Sequence, residues 1–259
     1  MNSGDFTVAE LQKLLLSPDA DKTAILTAMR GDARRSVRNL ATSFFKRMQR
    51  QAEELKRLEE MYRLEKAYYD RGIFHVAGVD EAGRGPIAGP VMIAAVILPP
   101  LWVCPGLNDS KKVSPKKRDR LYDEIMTHAV AVSCIAKTEK EIDELDIYHA
   151  TQAGMYEAVN TLSTAAEAVL CDAMPLPQLS VPHRSIIGGD ALSASIAAAS
   201  IIAKVTRDRL MQEYDRAYPA YGFAVHKGYL TQRHRDAVLA FGPCPIHRRS
   251  FEPIKSMIK

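Results

Sequence analysis

The chain has 259 residues, 47% of them hydrophobic and 25% charged, with a net charge of +4. That length buries a large core. No run approaches the roughly 20 apolar residues with which a helix crosses a bilayer, so a soluble protein in the cytoplasm is the expectation.

Residues 1–70 read as helix almost throughout. The helix-like stretch at 6–16 carries Glu10 and Lys13 rather than a signal-peptide core. A stripe of Val37, Leu40, Ala41, Phe44, Phe45, Met48, Ala52, Leu55, Leu58 and Met61 then recurs at three- and four-residue spacing among charged positions, the pattern of an amphipathic helix. The character changes near residue 70. Beyond Gly72 a run at 73–79 reads as a buried strand, followed after a Gly/Pro-rich turn by a second at 91–98. Further strands are expected at 129–136, 168–171 and 184–187, with helices at 115–127, 148–162 and 192–218. Strands interleaved with helices imply an α/β layer fold. The chain therefore divides into a helical extension, 1–70, and an α/β domain with a helical C-terminal part, 71–259.

Cys104, Cys134, Cys171 and Cys244 are scattered without CxxC spacing, which argues against a disulfide framework or zinc site. Cys134 and Cys171, inside apolar runs, read as buried free thiols. Charge is uneven: residues 200–259 hold eleven Lys or Arg against five Asp or Glu. Such a bias suits a polyanionic partner, although solvated helical faces are often basic.

The most informative segment is Gly78-Val79-Asp80-Glu81-Ala82-Gly83-Arg84-Gly85-Pro86. An apolar strand runs into two adjacent carboxylates, which alternation would send to opposite faces unless the strand ends there; a strand terminus at a cleft is the expectation. Two more acids sit in related settings. Asp172 follows the run Ala168-Val169-Leu170-Cys171, and Asp190 follows Ile186-Ile187-Gly188-Gly189 and opens a helix rich in small residues. If these ends converge, like charges repel by about 4 kcal/mol per pair at ~4 Å and an effective dielectric of ~20. Hard divalent cations remove that cost, and an oxygen-only donor set favours Mg²⁺ or Mn²⁺ over zinc. Read singly, Asp190 could instead cap a helix, Asp172 could be a turn residue, and Glu81 could be solvated. The glycine turn is neither a Walker loop, which needs Lys-Ser or Lys-Thr after its last glycine, nor a dinucleotide fingerprint: Gly83, Gly85 and Gly89 run G-x-G-x-x-x-G, with Pro86 and Pro90 breaking any helix start.

Four blocks now stand together: Asp80-Glu81-Ala82-Gly83-Arg84-Gly85-Pro86; Leu107-Asn108-Asp109-Ser110-Lys111-Lys112; Asp190 with Ile196-Ala197-Ala198-Ala199-Ser200-Ile201-Ile202-Ala203-Lys204-Val205-Thr206-Arg207-Asp208; and Tyr221-Gly222-Phe223 with Lys227-Gly228-Tyr229. In these residues and their order the chain resembles the type 2 ribonuclease H family. The resemblance implies a ribonuclease H-like fold, a five-stranded mixed sheet flanked by helices. It maps four metal-binding catalytic acids onto Asp80, Glu81, Asp172 and Asp190, holding two divalent ions, Mg²⁺ or Mn²⁺. It implies that Gly83, Arg84 and Gly85 sense the ribose 2′-hydroxyl, the group that separates RNA from DNA, and that Tyr229 stacks on the following sugar. Lys111, Lys112, Lys204 and Arg207 are candidate phosphate contacts, the last two at i and i+3 on one helix face.

The activity implied is endonucleolytic cutting of the RNA strand of an RNA/DNA hybrid, or on the 5′ side of a ribonucleotide embedded in duplex DNA, by a monomer. A non-catalytic binding protein on the same fold would lack an acid, and none is missing. A strand transferase would need no 2′-hydroxyl sensor. The related type 3 enzymes carry a sheet-containing N-terminal domain, whereas residues 1–70 here are helical; Arg34, Arg35 and Arg38 in that extension are candidates for extra substrate grip, with a partner surface or a brace as alternatives.

Overall fold

The computed structural model describes residues 2–258; Lys259, one of the eleven basic residues of the last sixty, lies outside them. Internal contacts divide the chain into two compact units, Met1–Arg57 and Leu58–Lys259. The division falls earlier than the change of composition near residue 70, and residues 58–69 belong with the second unit.

The first unit holds α1 (Val8–Leu16), α2 (Lys22–Arg30) and the greater part of α3 (Arg35–Met61). A capping box opens α1: Thr7 accepts from the Glu10 N–H, and the Glu10 carboxylate accepts from the Thr7 N–H at 2.7 Å. Leu11, Leu15, Ile25, Leu26, Met29, Val37 and Ala41 form the core. Arg34 donates to the Asp32 carboxylate and to the carbonyls of Ser3 and Phe6, and Arg38 to the carbonyls of Asp32 and Ala33. Two of the three arginines considered for substrate grip thus tie this unit's own loops.

The second unit begins with the end of α3 and α4 (Arg63–Tyr69). Its sheet comprises β1 (Val76–Ala82), β2 (Val91–Ile97), β3 (Ala131–Lys137), β4 (Ala168–Asp172) and β5 (His183–Ile186), in the order β3-β2-β1-β4-β5. β1 is antiparallel to β2 and parallel to β4; β2–β3 is antiparallel and β4–β5 parallel. The mixed sheet, with its helices, is the expected architecture. Between and after the strands come α5 (Pro115–His128), α6 (Glu139–Leu145), α7 (Ile147–Asn160), α8 (Ala194–Ala217), α9 (Phe223–His226), α10 (Gln232–Phe241) and α11 (Ile254–Met257). The short α6 was not expected from periodicity; a Thr138–Glu141 capping box supports it.

β2 is buried on both faces. Met92, Ala94 and Val96 pack with Leu121 and Ile125 of α5 and Ala198 and Ile202 of α8. Val91, Ile93, Ala95 and Ile97 pack with Ala150, Met155 and Ala158 of α7. The small residues of α8 serve a close approach. A Cβ placed on Gly78 would lie 2.0 Å from the Ser195 carbonyl carbon, so the first turn of α8 rests directly on β1, two residues before Asp80. No helix among the described residues is long and apolar enough to cross a membrane.

Candidate active site

β1 does not end at its acids. Asp80 pairs with Ala94, Glu81 with Ile93, and the strand continues to Ala82 opposite Met92. This corrects the expected strand terminus before Asp80: β2 is long enough to keep the ladder closed. Consecutive strand residues leave on opposite faces, so Asp80 shares the face of Val76 and Gly78, where α8 lies.

The neighbouring strand supplies the second acid. The parallel register aligns Val79 with Cys171, and its next step sets Asp172, the last residue of β4, beside Asp80 on the same face. The third comes from a 3-10 turn, Gly189–Ala191, ahead of α8. Asp190 is not a helix cap, because Ser193 caps α8 through the Ile196 N–H. The turn is tied to the second acid, the Gly189 N–H donating to Asp172 Oδ1 at 2.8 Å. One carboxylate oxygen from each of Asp80, Asp172 and Asp190 lies within 4.8 Å of the others.

Glu81 stands next to this trio rather than in it, with Oε1 3.6 Å from Arg84 Nη1. Burial, then the charge of Glu81, pushes the Asp80 carboxyl well above the usual carboxylate range. Burial raises Glu81 against the pull of Arg84, and burial with Asp109 and Asp172 raises Asp190. Lys111, Nζ 3.9 Å from Asp190, loses some hydration, yet the surrounding carboxylates outweigh that and raise its pKa. Clustered oxygens that resist ionisation together fit divalent cations, and an all-oxygen donor set fits Mg²⁺ or Mn²⁺.

Polar neighbours that sequence reasoning did not single out complete the surroundings. Ser200 of α8 faces Asp80, whose charged form it favours against burial, and its hydroxyl donates to Ser110 Oγ at 2.9 Å. Asp109, one residue earlier, accepts from the Lys111 N–H and faces Asp190. The Asn-Asp-Ser-Lys spelling was the available signal for this pair.

The glycine turn follows one residue after β1. Gly83 has φ +98°, and a Cβ there would fall 2.0 Å from Arg207 Nε, so only glycine fits. Tyr229, 48% exposed, lies against Gly85, where an added Cβ would sit 3.7 Å from the ring. Arg84 and Tyr229 thus flank the same turn, and Lys111 is exposed beside the acids.

Two arginines hold this loop from inside. Arg248, fully buried, donates to the carbonyls of Gly83 (2.6 Å), Arg84 (2.8 Å) and Gly89 (2.9 Å). Arg207, 1% exposed, donates to those of Pro90, Lys227 and Ala88. This corrects the reading of Arg207 as a phosphate contact on one face with Lys204: its guanidinium is turned inward, and each of its three nitrogens donates to a backbone carbonyl. Lys204 is paired with Asp208 at 2.7 Å on a cleft also lined by Arg118, Arg209 and Lys227. Lys112 is exposed, 3.9 Å from Asp109. Arg248 left no trace in the sequence, where it counted as one more C-terminal surface charge.

Behind Tyr229 three histidines cluster, and burial disfavours the charged form of each. The rings of His226 and His234 lie 4.3 Å apart. His234 Nδ1–H donates to the Tyr229 carbonyl at 2.9 Å, leaving Nε2 an acceptor. His247 Nδ1 accepts from the Cys244 N–H, so its Nε2–H donates to His234 Nε2 at 3.0 Å. Burial pulls His234 and His247 down to about 4.

A mixed sheet with carboxylates on the adjacent strands β1 and β4, joined by a third from the turn ahead of α8, is the arrangement of a hydrolase of the ribonuclease H class. Residues 77–254 match the family described as Ribonuclease HII, and residues 7–69 match the Ribonuclease HII N-terminal domain. The ribonuclease HII of Bacillus cytotoxicus is 46% identical over 99% of this chain and 98% of its own. The crystal structure of ribonuclease H2 from Pyrococcus horikoshii superposes with a TM-score of 0.61 at 26% identity, covering 70% of this chain and 96% of that one. That of Bst-RNase HIII in complex with Mn²⁺ shares the fold, with a TM-score of 0.54 at 18% identity, covering 74% of this chain and 71% of that one. The chain belongs to the ribonuclease HII family and is an endoribonuclease.

Proposed function

We propose that this enzyme hydrolyses the RNA strand of RNA/DNA hybrids and cuts on the 5′ side of single ribonucleotides embedded in duplex DNA, leaving 3′-hydroxyl and 5′-phosphate ends. It acts as a monomer in the cytoplasm, removing misincorporated ribonucleotides and primers. The observation that carries this reading is the adjacency of two devices at the end of β1: the carboxylate of Asp80 with those of Asp172 from β4 and Asp190 from the turn ahead of α8, and the Gly83-Arg84-Gly85 turn faced by Tyr229.

Asp80, Asp172 and Asp190, with Glu81 adjacent, would hold two divalent cations, Mg²⁺ or Mn²⁺, which supply an activated water and stabilisation of the leaving oxygen. Arg248 draws the Gly83 and Arg84 carbonyls inward, the absence of a Cβ at Gly83 makes room for Arg207, and its absence at Gly85 lets the backbone approach a ribose. The Tyr229 ring offers a sugar-stacking face that does not read base identity. Lys111, and Lys204 at the edge of its cleft, would meet backbone phosphates and set register, not sequence.

Mapping the cut on a duplex with one ribonucleotide tests this. The expected products end in 3′-hydroxyl and 5′-phosphate on the 5′ side of the ribonucleotide. A 2′,3′-cyclic phosphate, the mark of attack by the 2′-hydroxyl itself, would contradict it.

A further inference from the structure

α4 carries a carboxylate in an unusual place. Glu65 is fully buried, although it belongs to the charged segment that composition assigns to the helical extension. Its Oε1 accepts three hydrogen bonds from the start of α8: Ser193 Oγ at 2.6 Å, the Ser195 N–H at 2.9 Å and Ser195 Oγ at 2.7 Å. Among the described residues no cation is paired with it; its partners are the N-cap and first turn of a long helix, where orphan N–H groups and the helix dipole favour an anion. Desolvation disfavours its charged form while these donors support it.

The location decides what this contact does. Ser193 is three residues after Asp190 and closes the turn that carries it, its N–H donating to the Gly189 carbonyl at 2.9 Å. On the other side, the same turn of α8 rests on Gly78 of β1, the strand that holds Asp80. The start of α8 is therefore held between β1 and Glu65. Any shift of it moves Asp190 relative to Asp80 and Asp172.

We infer that Glu65 is a positioning residue for the metal site, fixing Asp190 at ligand distance from Asp80 and Asp172 by clamping Ser193 and Ser195. This rests on the metal reading proposed above. Supporting groups behind metal ligands change metal affinity by about 10- to 100-fold when removed.

The test is direct Mn²⁺ binding to full-length protein without substrate, followed by electron paramagnetic resonance, together with kcat and KM on a hybrid. Glu65→Ala is expected to weaken Mn²⁺ binding by about tenfold and to lower kcat, with KM for the hybrid unchanged. Glu65→Gln, whose amide oxygen still accepts, is expected to restore most of the affinity. A folded Glu65→Ala protein that binds Mn²⁺ like the native one overturns the proposal. If that variant does not fold, Ser195→Ala carries the test: about threefold weaker binding, near the low end of the net worth of one hydrogen bond, supports the clamp, and unchanged binding overturns it. Native protein that binds no Mn²⁺ would overturn the metal reading and this inference together, a result distinct from equal binding by native and variant.

Discussion

Arg248 shows how a single buried charge can shape a surface loop from inside. Its guanidinium supplies donors for three carbonyls, those of Gly83, Arg84 and Gly89, and planar, always-charged Arg suits such a fork better than Lys. Arg248→Met would leave those buried acceptors unpaired, at about 1 kcal/mol or more each, so urea unfolding should show a loss of roughly 3 kcal/mol. Its discrimination of ribonucleotide from DNA should fall with it; a loss below about 1 kcal/mol would mean the loop holds itself. The histidine stack makes a second prediction. His234 and His247 stay neutral in the folded protein down to about 4, whereas an unfolded histidine titrates near 6.5. The unfolded chain then binds more protons, so their contribution is complete above about pH 6.5 and is lost as pH falls toward 4. Ring NMR should find both still neutral at pH 5.5, with His234 protonated at Nδ1 and His247 at Nε2. A ring titrating near 6.5 would contradict the buried chain of tautomers.

At the scale of elements, the site depends on strand register and one helix crossing. Asp80 and Asp172 are side by side because β1 and β4 run parallel with Val79 opposite Cys171, and Asp190 joins them because α8 lies against Gly78. Gly78→Ala would force its methyl into the Ser195 backbone, costing about 1–3 kcal/mol by overpacking. Denaturant unfolding and Mn²⁺ titration should report lower stability and weaker metal binding together; lost stability with native metal affinity would show that α8 can move without Asp190. The elements themselves were legible. Apolar runs marked β1 to β4, the expected strand at 184–187 overlaps the largely polar β5, and the stripe at 37–61 marked the long α3. Glu81 was harder, because which face it takes depends on whether β1 continues, and that depends on its pairing with Ile93 in a strand more distant in sequence. The inward turn of Arg207 was invisible for the same reason: its partners are carbonyls at positions 88, 90 and 227, and composition carries no record of them.

For the whole molecule, the sequence located the change from helical extension to α/β domain near residue 70, where charge patterning gives way to apolar strands, while packing places the division at residue 57. The difference is physical: Leu58, Met61 and Tyr62 enter the core formed by α5, α8 and β2, and Glu65 reaches the first turn of α8. The excess of basic residues toward the C-terminus likewise overstated the surface charge, since Arg207 and Arg248 are interior. A ligand that binds only the folded state stabilises it by mass action. Mg²⁺ or Mn²⁺ should therefore raise the Tm of metal-stripped protein, and Asp80→Asn should reduce that rise; equal shifts in both proteins would place the ion elsewhere.

The central claim is that one strand end couples a carboxylate metal site to a sensor for ribose. Its most direct measurement is cleavage, with Mg²⁺ or Mn²⁺, of duplex DNA containing one ribonucleotide beside the same duplex made wholly of DNA. A single cut in the first and none in the second is predicted. Equal cutting of both, or of neither by folded, metal-loaded protein, would contradict the account.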